Sequence, residues 1–387
     1  MTERHAPQAV VSALLSLLFP MGAIALGGPA PADAGPTEPG APAALDGAVN
    51  AALGDIRAGA AASQIGKRIS AEKAGPAQGP TFRILSWNVQ VFGKGMKPKR
   101  KEAYQKLLEH SFSNNRNVRV LAIQEVVNAD MARYIDGMMP GPDNRWEPSM
   151  DDSKDSQDNL FFVRNDVAMD CDHPLFSGSG SREKSLHPAR VAHMRAGDFD
   201  YTIITLHLTF GHGSPDGSRR ELRHVLDWAQ QYLRKSDSDP DLIIVGDFNL
   251  PTAAGKEESL RSKEKGWHPI DGIIGEYPAF RRDADAEGNR KPKNTELVPL
   301  VDDRTSRNKG EPANNYDHFI VTGDLFDEEY VQGSAGVVPP NFIESIQSKE
   351  HVLMSDHYPI SAGFRMSGTG NDGRPIRLDG AAAACAP

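Results

Sequence analysis

Short apolar runs at residues 82–87, 118–123, 160–163, 201–206, 242–245, 319–321 and 358–364 punctuate the chain, each bounded by polar or turn-forming residues. Runs of that length, rich in Ile, Val, Leu and Phe, predict seven strands. Two stretches between them, 100–112 and 219–234, repeat their apolar residues at helical spacing, the second placing Leu222, Val225, Leu226, Ala229 and Leu233 on one face. Strands alternating with amphipathic helices predict an α/β domain. Residues 251–315 are polar and carry little periodic signal, as functional loops on a rigid scaffold do. No repeat of fixed period is visible.

The flanks have a different texture. Arg4 and His5 precede an apolar run over 9–26, followed by small residues that end in Ala32-Asp33-Ala34. This is the pattern of a secretory signal occupying 1–34, so the chain is expected to be secreted or periplasmic. Pro20 and the neighbouring glycines interrupt the run, which argues against an uncleaved membrane anchor. Residues 35–80 are rich in Ala, Gly and Pro and poor in large apolar side chains, so they read as a linker, with a weak helical pattern over 45–69. A globular domain is expected over 81–366 and a flexible Gly- and Ala-rich tail over 367–387.

Composition narrows the chemistry. Of 387 residues, 39% are hydrophobic and 25% charged, as in a globular protein with a sizeable core. The net charge of −9 excludes a protein that holds polyanions by bulk electrostatics, because such binding comes from Lys and Arg neutralising phosphates. A carboxylate-rich metal site reverses its local sign once cations bind, so a nuclease stays open. Cys171 and Cys385 are the only cysteines, which excludes a thiolate metal site or a cysteine framework and leaves a single disulfide open.

The polar residues that bound the runs form a coherent set. Asn88 follows the first run, Glu125 the second, His207 the fourth, and Asp247 and Asn249 the fifth; Asp317 precedes the sixth, and Asp356 and His357 the seventh. Strand ends that share one sheet edge converge in space, so these positions are candidates for one pocket. Carboxylate and amide oxygens suit hard cations, Mg²⁺ or Mn²⁺ with Ca²⁺ as a third option, and the histidines add proton transfer. Phosphodiester hydrolysis needs charge neutralisation, a base and an acid, and all three are present. Taken singly, Asn88 and Asn249 also suit strand-end turns, Asp247 and Asp317 solvated turns, and His207 a hydrogen-bonded core histidine.

The segments SWNVQVFG, IQEV, LHL, VGDFN, YDHFIV and MSDHYPI, in that order, resemble the endonuclease/exonuclease/phosphatase superfamily over residues 82–365, most closely its secreted deoxyribonucleases. The resemblance implies a four-layer α/β/β/α sandwich with two mixed sheets packed face to face and the site at one rim. It implies metal binding by Glu125 with Asn88, and by Asp317 and Asp356. Asp247 and Asn249 are expected to activate water and hold the phosphate, and His207 to protonate the leaving oxygen. Asp356 is expected to orient His357 on the scissile phosphate.

The chain also departs from the deoxyribonuclease pattern. Leu186-His187-Pro188 stands where those enzymes carry an arginine two residues before a proline, and Asp155 and Gln157 stand in place of a Tyr and a Glu. Arg182 and Arg190 are the candidates to contact the substrate instead. DNA is the leading substrate. Alternatives are a phospholipid headgroup, as in sphingomyelinases, with Trp267 as a contact, and an inositol phosphate or other small phosphoester held by Arg281 and Arg282. A non-catalytic binding module would not need the whole polar set.

Overall fold

The computed structural model describes residues 79–92, 97–113, 117–127, 129–137, 146–148, 158–175, 188–210, 215–234, 240–258, 269–280, 295–308, 311–338 and 354–366. The expected export signal, all but the end of the linker, and the tail lie outside the described residues. So do Asp155, Gln157, Arg182, Leu186, Trp267, Arg281 and Arg282.

Among the described residues, the strands are β1 (Thr81–Phe92), β2 (Val118–Val126), β3 (Trp146–Pro148), β4 (Asp158–Arg164), β5 (Val167–Pro174), β6 (Arg190–Ala196), β7 (Phe199–His207), β8 (Leu242–Asp247), β9 (Leu297–Pro299), β10 (Arg307–Asn308), β11 (Glu311–Pro312), β12 (Asp317–Thr322), β13 (Gly336–Val337) and β14 (Ile360–Arg365). The helices are α1 (Pro98–Ser113), α2 (Ala129–Asp136), α3 (Asp216–Leu233), α4 (Ala253–Glu258), α5 (Ile270–Ile274) and α6 (Gly323–Glu328). One six-stranded sheet runs β13-β14-β1-β2-β4-β3 and the other β5-β6-β7-β8-β12-β9. Each is mixed, with one parallel pair, β1 with β2 and β7 with β8. A parallel pair cannot be closed by a tight turn, and here α1 and α3 make the two crossovers.

Side chains alternate across a strand, so the two faces of each sheet can be read separately. Phe82, Ile84, Val120, Ala122 and Phe161 of the first sheet meet Ile203, Ile243, Val245, Phe319 and Val321 of the second in a shared core. On the opposite faces, Leu85, Trp87, Leu121 and Ile123 pack on Tyr104, Leu107 and Leu108 of α1, and Ile204, Leu206, Ile244 and Ile320 pack on Leu222, Val225, Leu226 and Ala229 of α3. Helices therefore cover both sheets, as the sandwich expected from the resemblance requires. Burial on both faces is also why the central strands read as unbroken apolar runs.

The elements that the apolar pattern did not predict have identifiable sequences. β5 and β6 read VAMDCDHP and RVAHMRA, with charged and imidazole groups breaking the run. Their hydrophobic members, such as Ala192, Met194 and Ala196, nevertheless line the inter-sheet core. The stretch 251–315, expected as loops, holds only short pieces: α4, α5, β9 to β11 and a 3₁₀ turn at Pro278–Phe280. Cys171, in β5, is disulfide-bonded. The chain's one other cysteine, Cys385, lies outside the described residues.

Away from the site, one buried acid makes stability depend on pH. Glu329 caps α6, is 1% exposed, and its Oε1 has no hydrogen-bond partner among the described residues. Burial, and then the charges of Glu328 and Asp324, push its pKa up to about 8, against the pull of Arg365. A folded-state pKa above the unfolded one favours the protonated fold, so this stability is full at low pH and is lost as pH rises from about 4 toward 8. Glu329→Gln is expected to stabilise the protein by about 1–2 kcal/mol at pH 8.5, after allowing for solvent screening, and by much less at pH 5. Thermal melts at the two pH values check this, and equal shifts at both would refute it.

Candidate active site

The period-two alternation that builds the inter-sheet core also builds the site. Along β1, the inward face passes from Phe82 and Ile84 to Ser86 and then Asn88; along β7 it passes from Ile203 to Thr205 and His207. β8 contributes Ile243, Val245 and then Asp247. Register does the rest: His207 lies beside Asp247, which lies beside Asp317, across three neighbouring strands of the second sheet. An intermediate polar layer joins the sheets just below, where Gln124 Nε2 donates to Ser86 Oγ at 3.2 Å and to Thr205 Oγ1 at 2.9 Å.

Glu125 reaches the same cluster by breaking the alternation. A register shift between Ile123 and Val126, with φ of +67° at Glu125, re-aims this side chain, as bulges beside functional sites do. Gln90, Val91 and Asn249 also hold positive φ, at 49°, 53° and 51°. Such conformations cost about 1–3 kcal/mol each and persist only where the surroundings impose them. Gly246 is required by close approach: at its φ of +137°, an added Cβ would lie 2.0 Å from Leu206 O.

Asp247 is the hub. Asn88 Nδ2 donates to Asp247 Oδ2 at 2.9 Å and to Glu125 Oε1 at 3.0 Å, so one amide ties the two sheets together. The backbone N–H of Asn249 donates to Asp247 Oδ1 at 2.9 Å. His357 Nε2 lies 3.4 Å from Asp247 Oδ2, and His207 Nε2 lies 3.7 Å from both Asp247 Oδ2 and Glu125 Oε1. Glu125 Oε2 accepts the Val91 N–H at 2.7 Å.

Burial and charge set the protonation of this cluster. Burial, reinforced by the negative charge of Asp317, raises the pKa of Asp247 to about 7, although His357, the Asn249 N–H and Asn88 pull it down. Burial opposes a charge on His357, yet the carboxylates of Asp317 and Asp247 outweigh it and hold the imidazole pKa well above its ordinary value. Nδ1 of His357 sits 2.7 Å from Asp317 Oδ2, which fixes a proton on that nitrogen. Donor atoms of Asp247, Asp317 and His357 lie within 4.8 Å of one another, and with Glu125 alongside they make an oxygen-rich set that can hold a hard cation.

A sequence model of the Endonuclease/Exonuclease/phosphatase family matches residues 85–357, from the middle of β1 to the last site histidine. The chain belongs to that family. No curated protein matches the sequence. Solved structures with a similar fold include an endonuclease/exonuclease/phosphatase family protein from Bacteroides thetaiotaomicron, at 13% identity and TM-score 0.49, covering 74% of this chain and 98% of that one. TDP2 from Caenorhabditis elegans aligns at 15% identity and TM-score 0.48, covering 83% and 86%. ANGEL2, described as a 2′,3′-cyclic phosphatase, aligns at 14% identity and TM-score 0.45, covering 74% and 95%. The family assignment rests on the sequence match.

The endonuclease/exonuclease/phosphatase fold brings Asn88, Glu125, His207, Asp247, Asn249, Asp317 and His357 to one place, with three corrections to the expected roles. Asp317, not Asp356, orients His357: the Asp356 side chain is 44% exposed and its Oδ1 lies 4.0 Å from Nε2, the other ring nitrogen. Asn88 turns its N–H₂ toward the carboxylates, while its Oδ1 accepts the Gln90 N–H at 2.9 Å, so it organises the acids instead of offering an oxygen to a cation. Arg190 is committed elsewhere, pairing through Nε and Nη2 with both carboxylate oxygens of the partly buried Asp172, a pairing that its place on β6 beside the irregular β5 imposes.

Several supporting residues escaped sequence reasoning. Ser355 Oγ donates to Asn88 O at 2.6 Å and accepts the His357 N–H at 3.0 Å. Thr305 Oγ1 accepts the N–H groups of Tyr316 and Asp317 at 2.9 and 2.8 Å, and its carbonyl accepts the Tyr358 N–H at 2.7 Å. Arg100, on α1, donates to the carbonyls of Met354, Val89 and Gln90. Ser355 stands next to Asp356 in the SDH triplet and had a local signal; Thr305 and Arg100 act across long separations and had none.

Proposed function

We propose that this chain is an exported, divalent-metal-dependent phosphodiesterase that cleaves DNA internally. The observation that carries the reading is Asp247: a buried carboxylate approached by Asn88, Asn249 and both site histidines, with a second acid, Glu125, on the same amide. Glu125, Asp247 and Asp317 are the groups that would hold Mg²⁺ or Mn²⁺, and Ca²⁺ has the same preference for oxygen donors. A cation bound there supplies positive charge against the phosphoryl oxygens.

The remaining steps belong to the chain's own residues. Asp247, held by the Asn249 N–H, accepts a proton from the attacking water. His357, kept protonated by Asp317, donates from Nε2 to a non-bridging phosphate oxygen. His207 protonates the leaving oxygen.

A substrate panel of DNA, RNA, sphingomyelin and inositol phosphates, each with Mg²⁺, Mn²⁺ or Ca²⁺, tests the reading. Internal nicking of plasmid DNA with Mg²⁺ or Mn²⁺, abolished by EDTA, is the expected outcome. Intact DNA alongside release of phosphocholine or inorganic phosphate would overturn it.

A further inference from the structure

β7 ends on His207, which pairs with Asp247 in the last rung of the β7–β8 ladder. Leu208 and Thr209 then belong to no strand or helix, yet both of their N–H groups and both of their carbonyls are hydrogen-bonded. The Leu208 N–H donates to Asp247 O at 2.9 Å, and Leu208 O accepts from Asn249 Nδ2 at 2.8 Å. The Thr209 N–H donates to Glu221 Oε2 at 2.6 Å, and Thr209 O accepts from Ser218 Oγ at 2.7 Å. Thr209 Oγ1 adds a further bond, donating to Glu221 Oε1 at 2.6 Å.

A helix that ties down a neighbouring loop is ordinary support, but this tie is built onto the reaction centre. Glu221 and Ser218 stand in the first turns of α3, whose apolar face, Leu222, Val225, Leu226 and Ala229, packs on Ile204 and Leu206 of the strand that carries His207. The clamp is therefore fixed to the sheet on which it acts. Glu221 takes an N–H and an O–H of one residue on its two carboxylate oxygens, which sets the orientation of that residue as well as its position. The other end of the strap is bonded to Asp247 and Asn249. The His207 ring, by contrast, makes no hydrogen bond to the acids it faces, with Nε2 3.7 Å from Glu125 Oε1 and from Asp247 Oδ2. Its aim is thus sensitive to the main chain that carries it, and a displacement of about 1 Å at a reacting group can cost about 10²-fold in rate.

We propose that Glu221 is a positioning residue for His207: its carboxylate locks Thr209, and with it the end of β7, in the place from which the imidazole meets the leaving oxygen. The inference rests on the reading of His207 as the acid of a phosphodiesterase and deepens it, by naming the group that holds that acid in line.

Glu221→Ala is expected to lower kcat on plasmid DNA by about 30-fold, with KM changed by less than about twofold. On bis(p-nitrophenyl) phosphate, whose leaving group needs no proton, the loss should be about threefold or less. Glu221→Gln should recover most of the rate, because its Oε1 can accept the Thr209 N–H while its Nε2 donates to Thr209 Oγ1. The deciding measurement is the double variant: in a His207→Ala background, Glu221→Ala should cost no more than about twofold on DNA. Thr209→Val removes the hydroxyl bond and keeps the N–H one, so it should show the same pattern more mildly, with a loss of about fivefold on DNA and little on the p-nitrophenyl ester. It carries the test should the alanine variant fail to fold. Losses that multiply with those of His207→Ala, equal losses on the two substrates, or full activity in Glu221→Ala would overturn the positioning role and leave Glu221 as a tether of α3. His207→Ala with undiminished activity, or a wild type that leaves DNA intact, would sink the underlying reading and the inference with it.

Discussion

His207→Ala is expected to lower kcat/KM on DNA by about 10³-fold, the range that loss of a positioned general acid gives. Its Nε2 lies 3.7 Å from Glu125 Oε1 and Asp247 Oδ2, too far for a hydrogen bond to either. Both carboxylates keep other donors, Asn88 and the Val91 N–H for Glu125, Asn88 and the Asn249 N–H for Asp247. Removing the ring therefore strips no hydrogen bond from the acids, and Tm should move by only about 3 °C, equivalent to about 1 kcal/mol in a domain of this size. The assignment of acid rather than structural residue is checked by the leaving group. A p-nitrophenolate departs without a proton, so on bis(p-nitrophenyl) phosphate the loss should shrink to about tenfold or less. A loss of equal size on both substrates would show that His207 positions something else.

Much of this centre was legible in sequence because strand physics writes it there. A strand buried on both faces is apolar until it nears the edge of the core, so polar residues on the inward face mark the approach to the sheet edge: Asp247 is the first on β8, and Ser86 and Thr205 come just before Asn88 and His207 on β1 and β7. Strand order and register were not legible, since they arise from pairing between segments far apart in the chain. Asp317 was visible as a candidate but its partner was not: that it meets His357 rather than a cation alone depends on β12 lying beside β8. Glu125 carries a subtler lesson. By alternation it belongs with Ile123, on the face turned toward α1, and only a local bulge brings it inward. Nothing in IQEV marks that bulge. Arg190 misled for the converse reason, because a guanidinium is a substrate group or a structural one according to whether an acid such as Asp172 lies within reach.

The clustering of positive φ at Gln90, Val91, Glu125 and Asn249 and of buried charge at Asp247, Asp317 and His357 means that the site is assembled against the local preferences of the chain. The broad apolar layers above and below supply the stability that offsets it. Residues chosen for catalysis should therefore become more stable when their chemistry is removed.

Asp247→Asn is the sharpest case. With His357 protonated and both acids ionised, the buried trio carries a net charge of −1, and the amide brings it to zero while keeping an acceptor for Asn88 or the Asn249 N–H. The folded-state pKa of about 7 lies above that of an unfolded Asp, so ionising this group costs stability, a cost that grows as pH rises from about 4 to 7. Asp247→Asn is thus expected to raise Tm by about 3 °C at pH 8. It should also lower kcat by about 10⁴-fold, since the base and a cation-holding oxygen are lost together. In the wild type, activity should rise with pH through about 7 at low metal, where the proton on Asp247 must first leave. Raising Mg²⁺ should move that limb to lower pH, because cation and proton compete for one carboxylate. A pH profile that ignores metal concentration, or a variant that is both inactive and markedly less stable, would mean that Asp247 holds the fold together and that the chemistry lies with its neighbours.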